Sequence, residues 1–249
     1  MSRVLEPGRP RWRLRRVRGA AAASAPGVVF SEPAPPLRLI LARVAWPLLA
    51  GGLLIAYLAG IVLGLVFQLA GWWDHGARWE RDVLVAAHQT VSPVADIFFL
   101  WIPFAGTNYT LFPIVAVAGV LLWRRGYRTA VVHLALVQIG SFLLNPGIKF
   151  TLFRPRPELF ALRGQYQLPA YPSGHSIAVV SVLVTAAYLL HRYGRGAWAY
   201  WALALFFLLN SYSRLYLGVH WPTDVVAGTL VGAVWLLFSL VALRRIHPF

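Results

Sequence analysis

From Val225 to Leu243 the chain carries no charged residue, and five further stretches are nearly as apolar: Val44–Leu69, Thr107–Trp123, Thr129–Lys149, Ser176–His191 and Ala197–Ser213. A bilayer core about 30 Å thick is crossed by about 20 apolar residues in a helix. Backbone in that environment must satisfy its own hydrogen bonds, which favours helices. The pattern predicts an all-α fold, an integral membrane six-helix bundle. The composition agrees: 59% of the 249 residues are hydrophobic and 12% charged, about half the charged fraction of a soluble domain.

Between the first and second spans the sequence changes character. Residues 71–76 carry two tryptophans between glycines, as expected of an interfacial aromatic belt and turn. Trp79–Gln89 mixes charge with apolar residues at helical spacing and predicts an amphipathic interfacial helix. Val94–Phe104 is apolar apart from Asp96 and leads back toward the second span. Gly51, Gly52, Gly60 and Gly64 in the first span are expected at close helix contacts.

The net charge of +15 is concentrated in the N-terminal arm and in the connectors 124–128, 191–196 and 244–245. With six spans these segments fall on one side, which the positive-inside rule makes cytoplasmic. The expected organisation is a disordered basic cytoplasmic arm over 1–38 and a six-span domain over 39–249. The arm does not read as a secretory signal, because its basic region is long and the apolar stretch after it exceeds a signal core. Nucleic acid is not an expected partner, since the basic runs accompany no reading module. There is no cysteine, which excludes disulfides, thiolate chemistry and cysteine-bound metals.

Loop 149–175 and stretch 213–224 then share the opposite, extracytoplasmic face. There the arginines Arg154, Arg156 and Arg163 run against the charge bias. Lys149 is the only lysine among 23 basic residues, which suggests a site that takes a compact ammonium rather than a planar fork. Ser173 is placed to cap a helix starting near His175, and a helix N-terminus suits an anion. Gly174 would let the backbone approach that anion closely. Lys149, Arg156 and Arg214 can add charge-assisted hydrogen bonds to phosphate oxygens. Pro222 predicts a helix beginning near Trp221, with Asp224 in its first turn beside His220.

Asp224 is the only acidic residue after Glu158 and the carboxylate nearest either histidine in sequence. That makes His220 the candidate nucleophile, oriented by Asp224, and His175 the candidate acid for the leaving oxygen. Two histidines and an aspartate can also hold a metal, but the surrounding cations would repel it. No metal and no cofactor are expected.

These residues resemble the three signature motifs of the type 2 phosphatidic acid phosphatase family. The first is Lys149 followed by Arg156 and Pro157; the second runs from Pro172 through Ser173 and Gly174 to His175. The third joins Ser213 and Arg214 to His220 and Asp224. The resemblance covers about residues 44–243. It implies a phosphohistidine at His220 and proton transfer by His175. It also implies phosphate binding by Lys149, Arg156, Ser173, Gly174 and Arg214, without metal. Arg154 has no role in that pattern.

The resemblance implies an integral membrane hydrolase of a lipid phosphate or diphosphate in the plasma membrane. Undecaprenyl diphosphate is the first expectation for the substrate; phosphatidylglycerol phosphate, phosphatidic acid and lipid A phosphates are others. That choice rests on family analogy alone. No obligate protein partner is expected. The motif set also occurs in soluble acid phosphatases and vanadium-dependent haloperoxidases, against which the hydropathy argues. The alternatives are a lipid phosphotransferase using the same site, or a catalytically silent membrane scaffold or transporter.

Overall fold

The computed structural model describes residues 35–160, 168–192 and 196–246. The expected disordered arm falls almost wholly outside them. Its predicted boundary at 38 lies inside a short helix, α1 (Leu37–Ala42). All regular structure among the described residues is helical. The long helices are α2 (Trp46–Leu69), α5 (Asn108–Arg124), α6 (Arg128–Leu152), α9 (Trp198–Tyr216) and α10 (Pro222–Ala242). One more continuous rod runs from α7 (Gly174–Ala178) through a π-helical segment (Val179–Leu183) into α8 (Val184–Arg192).

Every predicted span coincides with one of these elements. Four are long and apolar enough to cross a membrane: α2, α6, the α7–α8 rod and α10. At 17 residues α5 is shorter. In α9 the last turns carry Asn210, Ser211, Ser213 and Arg214, which lower its hydropathy. The expected interfacial segment forms α3 (Arg78–His88) and α4 (Pro93–Trp101), continued by a 3₁₀ turn to Gly106. The two parts bend by 118° and together are apolar enough to count as a broken fifth span. Nor does α3 present all its charge to its surroundings: Glu80 is completely buried.

Helix α10 lies at the centre, against α2, α6 and the α7–α8 rod. Gly228 and Gly232 make this approach possible. A Cβ at Gly228 would overlap the Ser173 carbonyl, and one at Gly232 would come within 2.9 Å of the Ile177 carbonyl. Small residues allow such backbone contact where lipid supplies no hydrophobic drive for association. On α2, Gly52, Gly60 and Gly64 face Phe238, Ile148 and Leu152, whereas Gly51 meets nothing within 4 Å and does not serve the predicted contact. Trp235 of α10 lies over Gly140 of α6 and donates to the Val137 carbonyl at 3.0 Å. Outward faces stay apolar, with Leu54, Val62, Trp201, Leu205 and Leu237 exposed, as lipid contact requires.

Candidate active site

Four helix ends meet at one end of the bundle. They are the last turns of α6 and α9, which carry Lys149 and Arg214, and the first turns of α7 and α10, which carry His175 and Asp224. Helix α6 ends at Phe153, whose φ of 50° is left-handed. This conformation disfavours a side chain larger than that of glycine or asparagine. The reversal leaves Phe153 exposed and turns Arg154 fully into the interior.

Ser173 caps α7. Its Oγ accepts from Ser176 N at 3.5 Å, and its own N–H donates to the Asp224 carbonyl at 2.9 Å. The second motif is thereby pinned to the helix that carries the third. The space a Cβ at Gly174 would need is occupied by the Asn145 side chain, 2.6 Å away. Asn145 stands one turn before Lys149 on α6, and its Oδ1 is buried with no hydrogen-bond partner among the described residues.

The ammonium of Lys149 donates to the Ala170 carbonyl at 2.9 Å and to that of Pro169. Arg156 binds the Leu168 and Val219 carbonyls at 3.1 and 2.5 Å, joining the first-motif loop to the third. Arg214 Nε rests on Ser213 Oγ at 3.3 Å, and its Nη1 lies 3.4 Å from His175 Nε2.

His220 Nδ1 faces Asp224 Oδ2 at 3.3 Å. The same oxygen accepts from Trp221 N at 2.9 Å, closing the first turn of α10. Burial first, and then the charges of Arg156, Lys149 and Arg214, hold His220 well below the ordinary imidazole range; the Ala170 carbonyl partly opposes them. An imidazole so placed stays neutral, with Nδ1 oriented by the carboxylate. The structure thus gathers Lys149, Arg156, Ser173, Gly174, His175, Arg214, His220 and Asp224 at one place. Among the described residues no three of His, Asp or Glu converge to hold a metal ion.

The PAP2 superfamily profile matches residues 129–247, the segment that carries all of these side chains. An undecaprenyl-diphosphatase from Sulfolobus acidocaldarius is 30% identical over 148 residues, 57% of this chain and 68% of that protein. The chain belongs to the PAP2 superfamily. A second relative, phosphatidylglycerophosphatase B of Bacillus subtilis, is 31% identical over 55% of this chain and 68% of its own. The crystal structure of a transmembrane PAP2-type phosphatidylglycerolphosphate phosphatase from Bacillus subtilis shares the fold. Its TM-score is 0.67 at 23% identity, covering 79% of this chain and 98% of that one. The protein is therefore a PAP2-type phosphatase with several apolar helices of the kind that cross membranes.

Around this PAP2 site the structure adds residues that sequence reasoning left without a role. Arg154 donates from Nη1 to Asp224 Oδ1 and Thr223 Oγ1, both at 2.7 Å. Its Nη2 reaches the Trp72 carbonyl at 2.6 Å and Glu80 Oε2 at 3.5 Å, and its Nε the Trp73 carbonyl at 3.1 Å. The guanidinium lies over the rings of Trp73 and Trp221, at 5.3 and 5.5 Å. Glu80 also accepts from Ala77 N at 2.9 Å, Thr223 N at 3.1 Å and Thr223 Oγ1 at 2.6 Å. The sequence signal for Arg154 was its sign, a cation against the charge bias. For Glu80 there was none, since an acid in a helix's first turn ordinarily faces water.

Proposed function

We propose that the chain is an integral membrane lipid phosphatase that works through a covalent phosphohistidine at His220. The observation that carries this reading is the His220–Asp224 contact set among Lys149, Arg156 and Arg214. His220 Nε2 attacks phosphorus, and the bond from phosphorus to the leaving oxygen breaks. His175 gives that oxygen its proton. Water then attacks the phosphohistidine, His175 takes the water's proton, the P–N bond breaks, and inorganic phosphate leaves.

Phosphoryl transfer is mainly a matter of positioning and charge neutralisation. Arg156, Arg214, the Gly174 N–H, Ser173 and the one N–H that Lys149 retains beyond its two carbonyls fit that task. The reaction so written needs no metal.

The membrane arrangement belongs to the same proposal. Helices α2, α5, α6, α7–α8, α9 and α10 cross the plasma membrane, and α3 lies at its surface. The site then opens on the extracytoplasmic side, with the termini in the cytoplasm. The connector arginines support this orientation. Undecaprenyl diphosphate is the first substrate to try, supported by the name of the Sulfolobus relative; the phosphatidylglycerophosphatase relative puts phosphatidylglycerol phosphate next.

Rapid acid-free quenching with ³²P-labelled substrate tests the covalent step. The wild-type protein should retain acid-labile, base-stable label, and His220→Ala none. Equal labelling of both would remove His220 from the reaction.

A further inference from the structure

Asp224 divides its two oxygens between two tasks. Oδ2 holds His220 Nδ1 and Trp221 N, while Oδ1 is taken by Arg154 at 2.7 Å. A carboxylate held on one oxygen alone can rotate about its own axis and lose the imidazole. One gripped on both oxygens cannot. The grip is only as firm as the guanidinium, and each of the five N–H groups of Arg154 has an acceptor. Two tryptophan faces enclose it, and its side chain is 0% exposed. A guanidinium so occupied has no donor left for a phosphate. Arg154 is therefore directed at Asp224 rather than at phosphate, although it stands two residues from Arg156 in the chain.

A cation beside Asp224 has an electrostatic cost for the reaction. It cancels the negative charge that stabilises His220 as positive charge develops on the ring. Glu80 restores it. With formal charges of −1 on Asp224 and on Glu80 and +1 on Arg154, the buried group facing the imidazole has a formal net charge of −1. Glu80 comes from α3, 74 residues before Arg154. It also accepts from the backbone and hydroxyl of Thr223, the residue before Asp224.

We propose that Arg154 and Glu80 form a positioning pair for Asp224, which makes α3 part of the catalytic apparatus rather than a surface helix only. The pair fixes the carboxylate's rotation and sets the net charge behind His220; it does not bind phosphate. This rests on the reading of His220 as the nucleophile.

The test uses the full chain purified in detergent, as wild type and as Glu80→Gln, Arg154→Gln and the double variant. The quantities read are kcat and KM on a lipid phosphate, the Ki of inorganic phosphate, and Tm. We expect kcat to fall about 10- to 100-fold in each single variant, by analogy with groups that orient a metal-ligating histidine through a hydrogen bond. KM and the phosphate Ki should stay within about threefold, and the double variant should be little worse than the poorer single one. If Arg154→Gln fails to fold, Glu80→Gln decides alone, because it keeps the side chain's shape and removes its charge. Unchanged kcat per folded molecule in Glu80→Gln overturns the proposal, as does a loss in kcat matched by a rise in phosphate Ki. Multiplying losses in the double variant would show that the two act separately, which also overturns it. Wild-type protein that releases no phosphate removes the underlying reading, and this inference with it. That outcome is told apart because it appears before any variant is compared.

Discussion

Arg154 Nη1 lies 2.7 Å from Asp224 Oδ1, with both side chains completely buried. A carboxylate and a guanidinium withdrawn this far from water are costly unless each is fully hydrogen-bonded. Here the shared network extends to Glu80, Thr223 and two tryptophan carbonyls. Asp224 is thus held from behind before it meets His220.

Asp224→Asn removes the negative charge from the centre of this arrangement and leaves Arg154 paired with Glu80 alone. The expected result is a folded protein with kcat reduced about 10²- to 10⁴-fold, as when the group orienting a catalytic histidine is neutralised. Steady-state kinetics beside a size-exclusion profile would check it. Near-wild-type turnover would remove Asp224 from the mechanism.

Lys149→Arg keeps the charge and changes its shape. The ammonium fits between the Pro169 and Ala170 carbonyls at 3% exposure, and a planar fork cannot occupy that space without moving the 168–171 loop. We expect kcat/KM to fall at least about tenfold, since one lost charge-assisted hydrogen bond already corresponds to about 1.5–3 kcal/mol. Equal kcat/KM in the arginine variant would show that any cation serves here.

The lowered pKa of His220 sets a pH dependence. The folded protein keeps this ring neutral at a pH where the unfolded chain, with a pKa of about 6.5, has begun to bind a proton. The sign follows: its contribution to stability is whole above about pH 6.5 and is lost as pH falls toward the folded value. Neutral imidazole is also the attacking form, so the acid limb of kcat/KM should lie below about pH 6.5. Tm and kcat/KM measured from pH 5 to 8 would check both, and an acid limb centred above 6.5 would contradict the assignment.

Gly228→Ala places a methyl group against the Ser173 carbonyl. Overpacking of this kind costs about 1–3 kcal/mol, and here it displaces the turn that presents His175. A lower Tm and a lower kcat are expected together. Gly51→Ala is the control, because its surroundings are open; it should leave Tm and activity nearly unchanged.

The helical class was legible because the apolar runs are long and their connectors basic. The motif residues could be grouped because His220 and Asp224 are one helical turn apart and Pro222 marks the start of α10. Ser173 was legible as a cap for the same local reason. What escaped the sequence depends on contacts distant along the chain. Glu80 meets Thr223 across 143 residues, and nothing local to α3 separates a buried acid from a surface one. The Asn145 contact with Gly174 was hidden in the same way. The six-span reading rests on the sequence alone for two elements, because α5 is shorter and α9 more polar over its last turns than the four helices long and apolar enough to cross.

Phosphate release from detergent-purified protein, measured in excess chelator across a panel of lipid phosphates and diphosphates with His220→Ala beside it, decides whether His220 carries the reaction. Release should survive chelation and vanish in the variant, with undecaprenyl diphosphate among the lipids turned over. Release that chelator abolishes, or that His220→Ala retains, would contradict a metal-free histidine mechanism.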